Sequence, residues 1–331
     1  MTKSNQEVLD DYKGSILGAA VGDALGAGYE FTKPDDSQII EMIGGGVFDW
    51  KPGEWTDDTQ MSLAILFSLA NGKSSTESIA QCFLDWYNSN PSDIGNQTRS
   101  VLSSTEKATE MLTISTAFMD ANPKAAGNGA LMRTSPVALM ALNDKEKLKS
   151  HAAEIAALTH AHVDSINACI LWTLAINDAI YSQSDAQSFD WVNNVRDGID
   201  YIESDQRDRW NGLIDEAQSK DPNTFTPNGW VVSAFQAALS VISNTEIPKA
   251  NPSEHFRNAL INAVKIGDDT DTVASIAGAY LGSKWGKGAI PMDWIEKING
   301  FRLVNSDPLT HNEVEKMIEA VLIPSSSAEV T

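Results

Sequence analysis

Between residues 14 and 31 the chain reads GSILGAAVGDALGAGYEF, and Gly14, Gly18, Gly22 and Gly26 recur at every fourth position. The alanines and leucines between them favour a helix, whereas each interior glycine costs a helix about 1 kcal/mol relative to alanine. A four-residue repeat places these glycines on one ridge, and such ridges pack into the groove of a neighbour. The spacing therefore predicts a central helix that another backbone approaches closely. ASIAGAYLG repeats the device, with Ala274, Gly278 and Gly282 also four apart. The first ridge carries Asp23 and then Glu30 toward a helix end, where a tightly held element makes a platform for a site.

Most of the remaining chain has the same helical period. TQMSLAILFSLA (59–70), SIAQCFLDWY (78–87), SPVALMAL (135–142) and AAEIAALTHA (152–161) are apolar at helical spacing. So are INACILWTLAINDAIY (166–181), WVVSAFQAALSVI (230–242) and TVASIAGAYLGSKW (272–285). Alternating runs of the strand type are nearly absent. Turn-forming stretches such as NSNPSD, NPKAAGNG and DPNTFTPNG separate the segments. The expectation is an all-α fold, a single compact domain of ten or more helices over residues 12–323. Residues 1–11 form an N-terminal extension in this reading, 182–228 peripheral helices and loops, and 324–331 (PSSSAEVT) a disordered tail.

Acidic residues outnumber basic ones 45 to 24 in the 331-residue chain, a formal net charge of −21. That balance argues against nucleic-acid backbone or anionic membrane as partner, because no basic stripe exists to displace counterions. An anionic ligand must then be held locally, by metal ions, helix N-termini or a few placed cations. Cys82 and Cys169 are the only cysteines, both in apolar helical sequence, and read as core residues. MTKSNQEVLDDY lacks a signal-peptide apolar stretch and no membrane-length apolar run follows, so a cytoplasmic location is expected.

Two segments stand apart, GEWTDDTQMSL (53–63) and IGDDTDTVASIA (266–277), each crowding aspartates and threonines before an apolar helix. Capping accounts for one residue per helix, and Asp57 to Gln60 even has capping-box spacing. The further carboxylates repel one another, and a cation is the expected means of stabilising such a cluster. Hard oxygen ligands without cysteine favour Mg²⁺, Mn²⁺ or Ca²⁺ over zinc. Should the two helix starts meet in space, their oxygens suffice for two divalent ions. AAGNGALMRTSP (125–136) is a Gly/Asn loop that serves either as a turn or, with Arg133, as a phosphate cradle. LTHAHVDS (158–165) supplies His160 and His162, which suit packing or contact with an anionic or aromatic ligand.

Taken in order, GSILGAAVGDALGAGYEF, WTDDTQMSL, SDIGNQTR, GNGALMRTSP, THAHVDS, NGWVVSAFQAAL and GDDTDTVASIAGAYLG resemble the ADP-ribosylglycohydrolase family, including its dinitrogenase-reductase-activating branch. The resemblance spans roughly residues 12–290. It implies two Mg²⁺ or Mn²⁺ ions at the base of a cleft, held by Thr56, Asp57 and Asp58 from one side and Asp269, Asp271 and Thr272 from the other. Asp268 leaves the register open, since GDDTDT holds one aspartate more than the ligand set needs. Glu30, Asp58 and Asp93 become the candidate catalytic carboxylates. Gly127, Asn128, Gly129 and Arg133 would hold a pyrophosphate, His160 or His162 would line the ribose or adenine pocket, and Trp230 would stack on the ligand or pack in the core.

The expected activity is metal-dependent hydrolysis of ADP-ribose from protein side chains, with arginine the expected linkage and an ADP-ribosylated protein the partner. Such cleavage passes through an oxocarbenium-like state, which positioned carboxylates and metal ions support. Cleavage of serine-linked, O-acetyl or polymeric ADP-ribose is an alternative within the family. From another class comes a non-catalytic inhibitor that docks on a cognate ADP-ribosyltransferase. An immunity role toward an ADP-ribosylating toxin is compatible with both.

Overall fold

The computed structural model describes residues 3–323; the tail expected at 324–331 lies outside the described residues. Helices α1 (Asn5–Gly26), α2 (Asp57–Ala70), α3 (Thr76–Asn88), α4 (Asn96–Ser103) and α5 (Met111–Ala121) come first along the chain. Next come α6 (Lys145–Ala157), α7 (Val163–Tyr181), α8 (Trp191–Arg196), α9 (Arg207–Ser219) and α10 (Val231–Asn244). The last are α11 (Glu254–Ile266), α12 (Thr270–Trp285), α13 (Met292–Ile295) and α14 (His311–Leu322). One short antiparallel pair, Asn299–Gly300 against Leu309–Thr310, is the whole sheet content among the described residues. The fold is all-α, as the periodicity indicates. No helix among the described residues is long and apolar enough to cross a membrane.

The glycine ridge of α1 packs against that of α12. A methyl group added at Gly14 would fall on the carbonyl oxygen of Gly282, one at Gly18 on that of Gly278, and one at Gly22 on that of Ala274. Numbers rise along one helix as they fall along the other, so the two run antiparallel with backbones in contact. From Gly14 to Gly26 every residue of α1 is buried, and α12 is buried from Thr270 to Lys284. Helices apolar on all sides belong in the middle of a bundle. α2, α7 and α10 surround the pair, and Trp172, Phe235 and Tyr280 lock α7, α10 and α12 together edge to face at 5.2 Å between ring centres.

Several boundaries differ from the periodicity. α1 starts at Asn5 behind a capping box in which Ser4 Oγ accepts from Glu7 N–H and Glu7 accepts from Ser4 N–H. Residues 5–11 are thus the first two turns of α1, not an extension ahead of the domain. The apolar run 135–142 forms a 3₁₀ turn over Ser135–Leu139, with Pro136 at its start. Within 182–228, α9 reaches the core, because Trp210 packs edge to face on Phe235 at 5.2 Å.

Candidate metal and nucleotide cleft

Antiparallel pairing brings the C-terminal end of α1 beside the N-terminal end of α12. Gly26 touches the backbone of Thr270 and Asp271, and Thr270 Oγ donates to the Gly26 carbonyl at 2.9 Å. A 3₁₀ turn over Ala27–Tyr29 then sets down Glu30. The following segment is clamped to the start of α12: Phe31 N–H donates to the Asp268 carbonyl at 2.7 Å, and Asp268 N–H to the Thr32 carbonyl at 3.0 Å. Asp268 adopts φ 61° and its side chain is exposed. The register thus falls on Asp269 and Asp271, both of which line the cleft. Oxygens of Glu30, Asp269 and Asp271 lie within 4.8 Å of one another.

α2 contributes from the other side. Its first amides are satisfied by Asp23, a fully buried residue of α1 whose carboxylate accepts from Thr56 N–H and Thr59 N–H at 3.0 Å. Thr56 is the N-cap, accepting from Asp58 N–H at 3.3 Å, while Gln60 accepts from Trp86 Nε1 at 2.8 Å. The Asp57–Gln60 capping box therefore does not form. With Asp23 and Thr56 serving the helix end, Asp57 and Asp58 are released to line the cleft. Thr272 Oγ donates to Asp58 Oδ2 at 3.2 Å, joining the two aspartate segments.

Six carboxylates therefore converge: Glu30, Asp57, Asp58, Asp93, Asp269 and Asp271 all line one cleft of about 470 Å³, within the size range of small-molecule sites. Burial, reinforced by the neighbouring negative charges, drives Asp57, Asp58 and Asp271 well above the usual carboxylate range. Burial first, then the charges of Asp93, Asp269 and Asp23, push Glu30 up to about 9. Asp93, half-exposed, is raised to about 6 by burial and by Asp269. Glu30 Oε2, Asp58 Oδ1 and Asp271 Oδ1 are buried with no hydrogen-bond partner. Buried acceptors left unpaired among like charges fit a divalent cation with hard oxygen ligands.

The GNG loop forms the next wall. Asn128 donates to Asp269 Oδ2 at 2.8 Å and to the Asn228 carbonyl at 3.1 Å, and Asn228 Oδ1 accepts from Asp269 N–H at 2.8 Å. Asn128 is thus a strut of the acidic cluster, while Gly127 and Gly129 face the cleft together with His160. Arg133 does not join them. It is fully buried, 4.3 Å over the Phe83 ring, with Nη2 donating to Thr159 Oγ at 2.7 Å. The turn after GNG aims this side chain into the core, so it cradles no phosphate.

His162 and Trp230 lie outside the main cleft. His162 caps α7 through Nδ1, which accepts from Asp164 N–H at 3.0 Å. Both residues line an adjoining depression that shares Gly127 and Gly229 with the cleft. Trp230 is 45% exposed, so its ring is a rim residue and not core packing. The sequence reading omitted Gly95, Asn96, Gln97 and Thr98, which line the cleft where α4 begins without a side-chain cap. SDIGNQTR held the signal, a glycine just before a helix start. Phe31 and Phe48 complete the wall; their placement depends on loop paths that local sequence does not specify.

An all-helical domain whose central helix pair ends in a carboxylate-lined cleft is the class of protein that this geometry defines. The chain belongs to the ADP-ribosylglycohydrolase family, whose family model matches residues 4–327. It is 30% identical over 321 residues to an ADP-ribosyl-[dinitrogen reductase] glycohydrolase of Rhodospirillum rubrum, covering 95% of this chain and 96% of that one. It is 29% identical over 310 residues to ADP-ribosylarginine hydrolase Tri1 of Pseudomonas putida, covering 90% of this chain and 76% of the relative. A solved structure described as an ADP-ribosylglycohydrolase-related protein complex superposes with a TM-score of 0.73 at 24% identity, over 96% of this chain and 98% of that one.

Proposed function

We propose that the protein hydrolyses the N-glycosidic bond between ADP-ribose and arginine side chains of modified proteins, using two divalent ions, Mg²⁺ or Mn²⁺. The observation that carries this reading is the convergence of six carboxylates on one cleft with three of their buried oxygens unpartnered. The activities for which the Rhodospirillum and Pseudomonas relatives are named support it. Thr56, Asp57 and Asp58 from the start of α2, with Asp269, Asp271 and Thr272 from the start of α12, would hold the ions. Bound there, the ions would supply Lewis acidity and a fixed grip on vicinal ribose hydroxyls.

The chain's own residues divide the remaining work. Gly95–Thr98 and Gly127–Gly129 line the cleft together with His160 and suit a pyrophosphate. Trp230 and His162 offer an exposed ring and an imidazole in the adjoining depression, which suits a purine. Asp58, already engaged by threonine hydroxyls, is suited to ligation, leaving Glu30 and Asp93 for proton transfer. As the C1″–N bond breaks and the C1″–O bond forms, one carboxylate accepts the proton of the attacking water and passes it to the departing guanidine. The test is to incubate the protein with arginine-linked ADP-ribosyl protein under Mg²⁺ or Mn²⁺. Release of ADP-ribose, lost on chelation and regained with metal, is expected; no release under either metal overturns the reading.

A further inference from the structure

The buried Arg133 has a consequence for the cleft. Its guanidinium carries donors only. Nη2 donates to Thr159 Oγ at 2.7 Å, and Thr159 Oγ lies 2.8 Å from His160 Nδ1. Thr159 is fully buried. A hydroxyl that accepts from arginine must place its single proton somewhere, and His160 Nδ1 is the acceptor within reach. Were Nδ1 protonated instead, the hydroxyl would accept twice and strand its own proton in the core, the costly arrangement for a buried polar group. Nδ1 therefore carries the lone pair. The proton of the neutral ring then resides on Nε2.

Nε2 is the edge turned to the GNG loop. A methyl group at Gly129 would stand 3.2 Å from Nε2, and one at Gly127 3.4 Å away. Glycine at both positions keeps this edge of the ring open, and His160 is part of the cleft wall. Burial, together with the Arg133 charge, holds the imidazole well below its ordinary range, which keeps the ring neutral. Among the described residues the ring's hydrogen bond runs through Nδ1 alone.

We propose that Arg133 and Thr159 are positioning residues that lock His160 in its Nε2–H tautomer, so that the cleft offers a fixed donor to a phosphate or ribose oxygen of the bound nucleotide. The nucleotide half rests on the function proposed above; the tautomer half does not. In this arrangement Arg133 acts on the ligand through two hydrogen bonds without touching it. The donor is selective by sign, since an Nε2–H pairs with an acceptor oxygen and not with an amino group. Thr159→Val removes the relay at nearly constant volume, and Thr159→Ser keeps it.

The test reads the tautomer directly in the free protein by long-range ¹H–¹⁵N correlation of ¹⁵N-histidine-labelled samples. His160→Gln assigns the signal, which is needed because His255 is a second buried histidine. The wild type is expected to show the Nε2–H pattern, Thr159→Val a mixed pattern, and Thr159→Ser the wild-type pattern. Affinity for ADP-ribose, measured by calorimetry, is expected to fall about tenfold in Thr159→Val and to return in Thr159→Ser. An Nδ1–H pattern in the wild type, or an unchanged pattern in Thr159→Val, overturns the relay. An intact Nε2–H pattern in a protein that binds no ADP-ribose overturns the nucleotide half, and release of ADP-ribose from arginine-linked protein by the same sample tells that outcome apart from failure of the proposed function.

Discussion

In the proposed function Asp93 is the cleft carboxylate assigned to read the linkage. It is half-exposed, and burial with the Asp269 charge pushes it up to about 6. A substrate guanidinium beside it would favour the charged form and gain a charge-assisted bond roughly twice as strong as a neutral one. Serine-linked ADP-ribose brings no such cation. Asp93→Ala should therefore lower turnover of arginine-linked substrate about tenfold, or about 1.4 kcal/mol of transition-state binding. Serine-linked turnover and melting temperature should change little; equal loss on both linkages would assign Asp93 to the chemistry they share. Residue types at the site were legible in sequence because clustered aspartates have few other uses. Their geometry was only partly so. Asp268 leaves the cluster through a left-handed backbone turn, and Arg133 enters the core through the turn after GNG, neither of which composition reveals.

At the scale of elements, the α1–α12 pair is both scaffold and positioning device. The four-residue spacing was readable on each helix, but which ridge met which was not, because pairing is a non-local fact. Asp23 shows the coupling: it sits on the buried ridge helix and holds the first amides of α2, which frees Asp57 and Asp58 for the cleft. Gly18→Leu or Gly22→Leu would drive a side chain into the backbone of Gly278 or Ala274. Each should cost roughly 1–3 kcal/mol or more through overpacking, read as a drop in melting temperature. Unchanged melting in both variants would contradict the close pairing. The segment 135–142 misled the periodicity for a local reason, since Pro136 opens a tighter turn there and the apolar residues pack without a regular α-helix.

For the whole molecule, the acidic cleft links stability to pH and metal. Folded-state values raised above the unfolded ones mean that the folded protein binds more protons, so metal-free stability is greatest at low pH. It is then lost as pH rises from the ordinary carboxylate range toward the Glu30 value of about 9, at about 1.4 kcal/mol per pH unit for each proton difference. The chelated protein should therefore melt at a lower temperature on the alkaline side of neutrality than on the acid side, and saturating Mg²⁺ or Mn²⁺ should shrink the difference. A chelated melting temperature that climbs with pH would contradict the buried-carboxylate account. The central claim is that antiparallel helix pairing brings two aspartate segments to one divalent-metal centre. Counting bound Mn²⁺ per chain by its electron paramagnetic resonance signal, in the wild type, Asp57→Asn and Asp269→Asn, tests it most directly. Two ions in the wild type and weakened binding in each variant are expected; no bound ion, or binding indifferent to both substitutions, would contradict it.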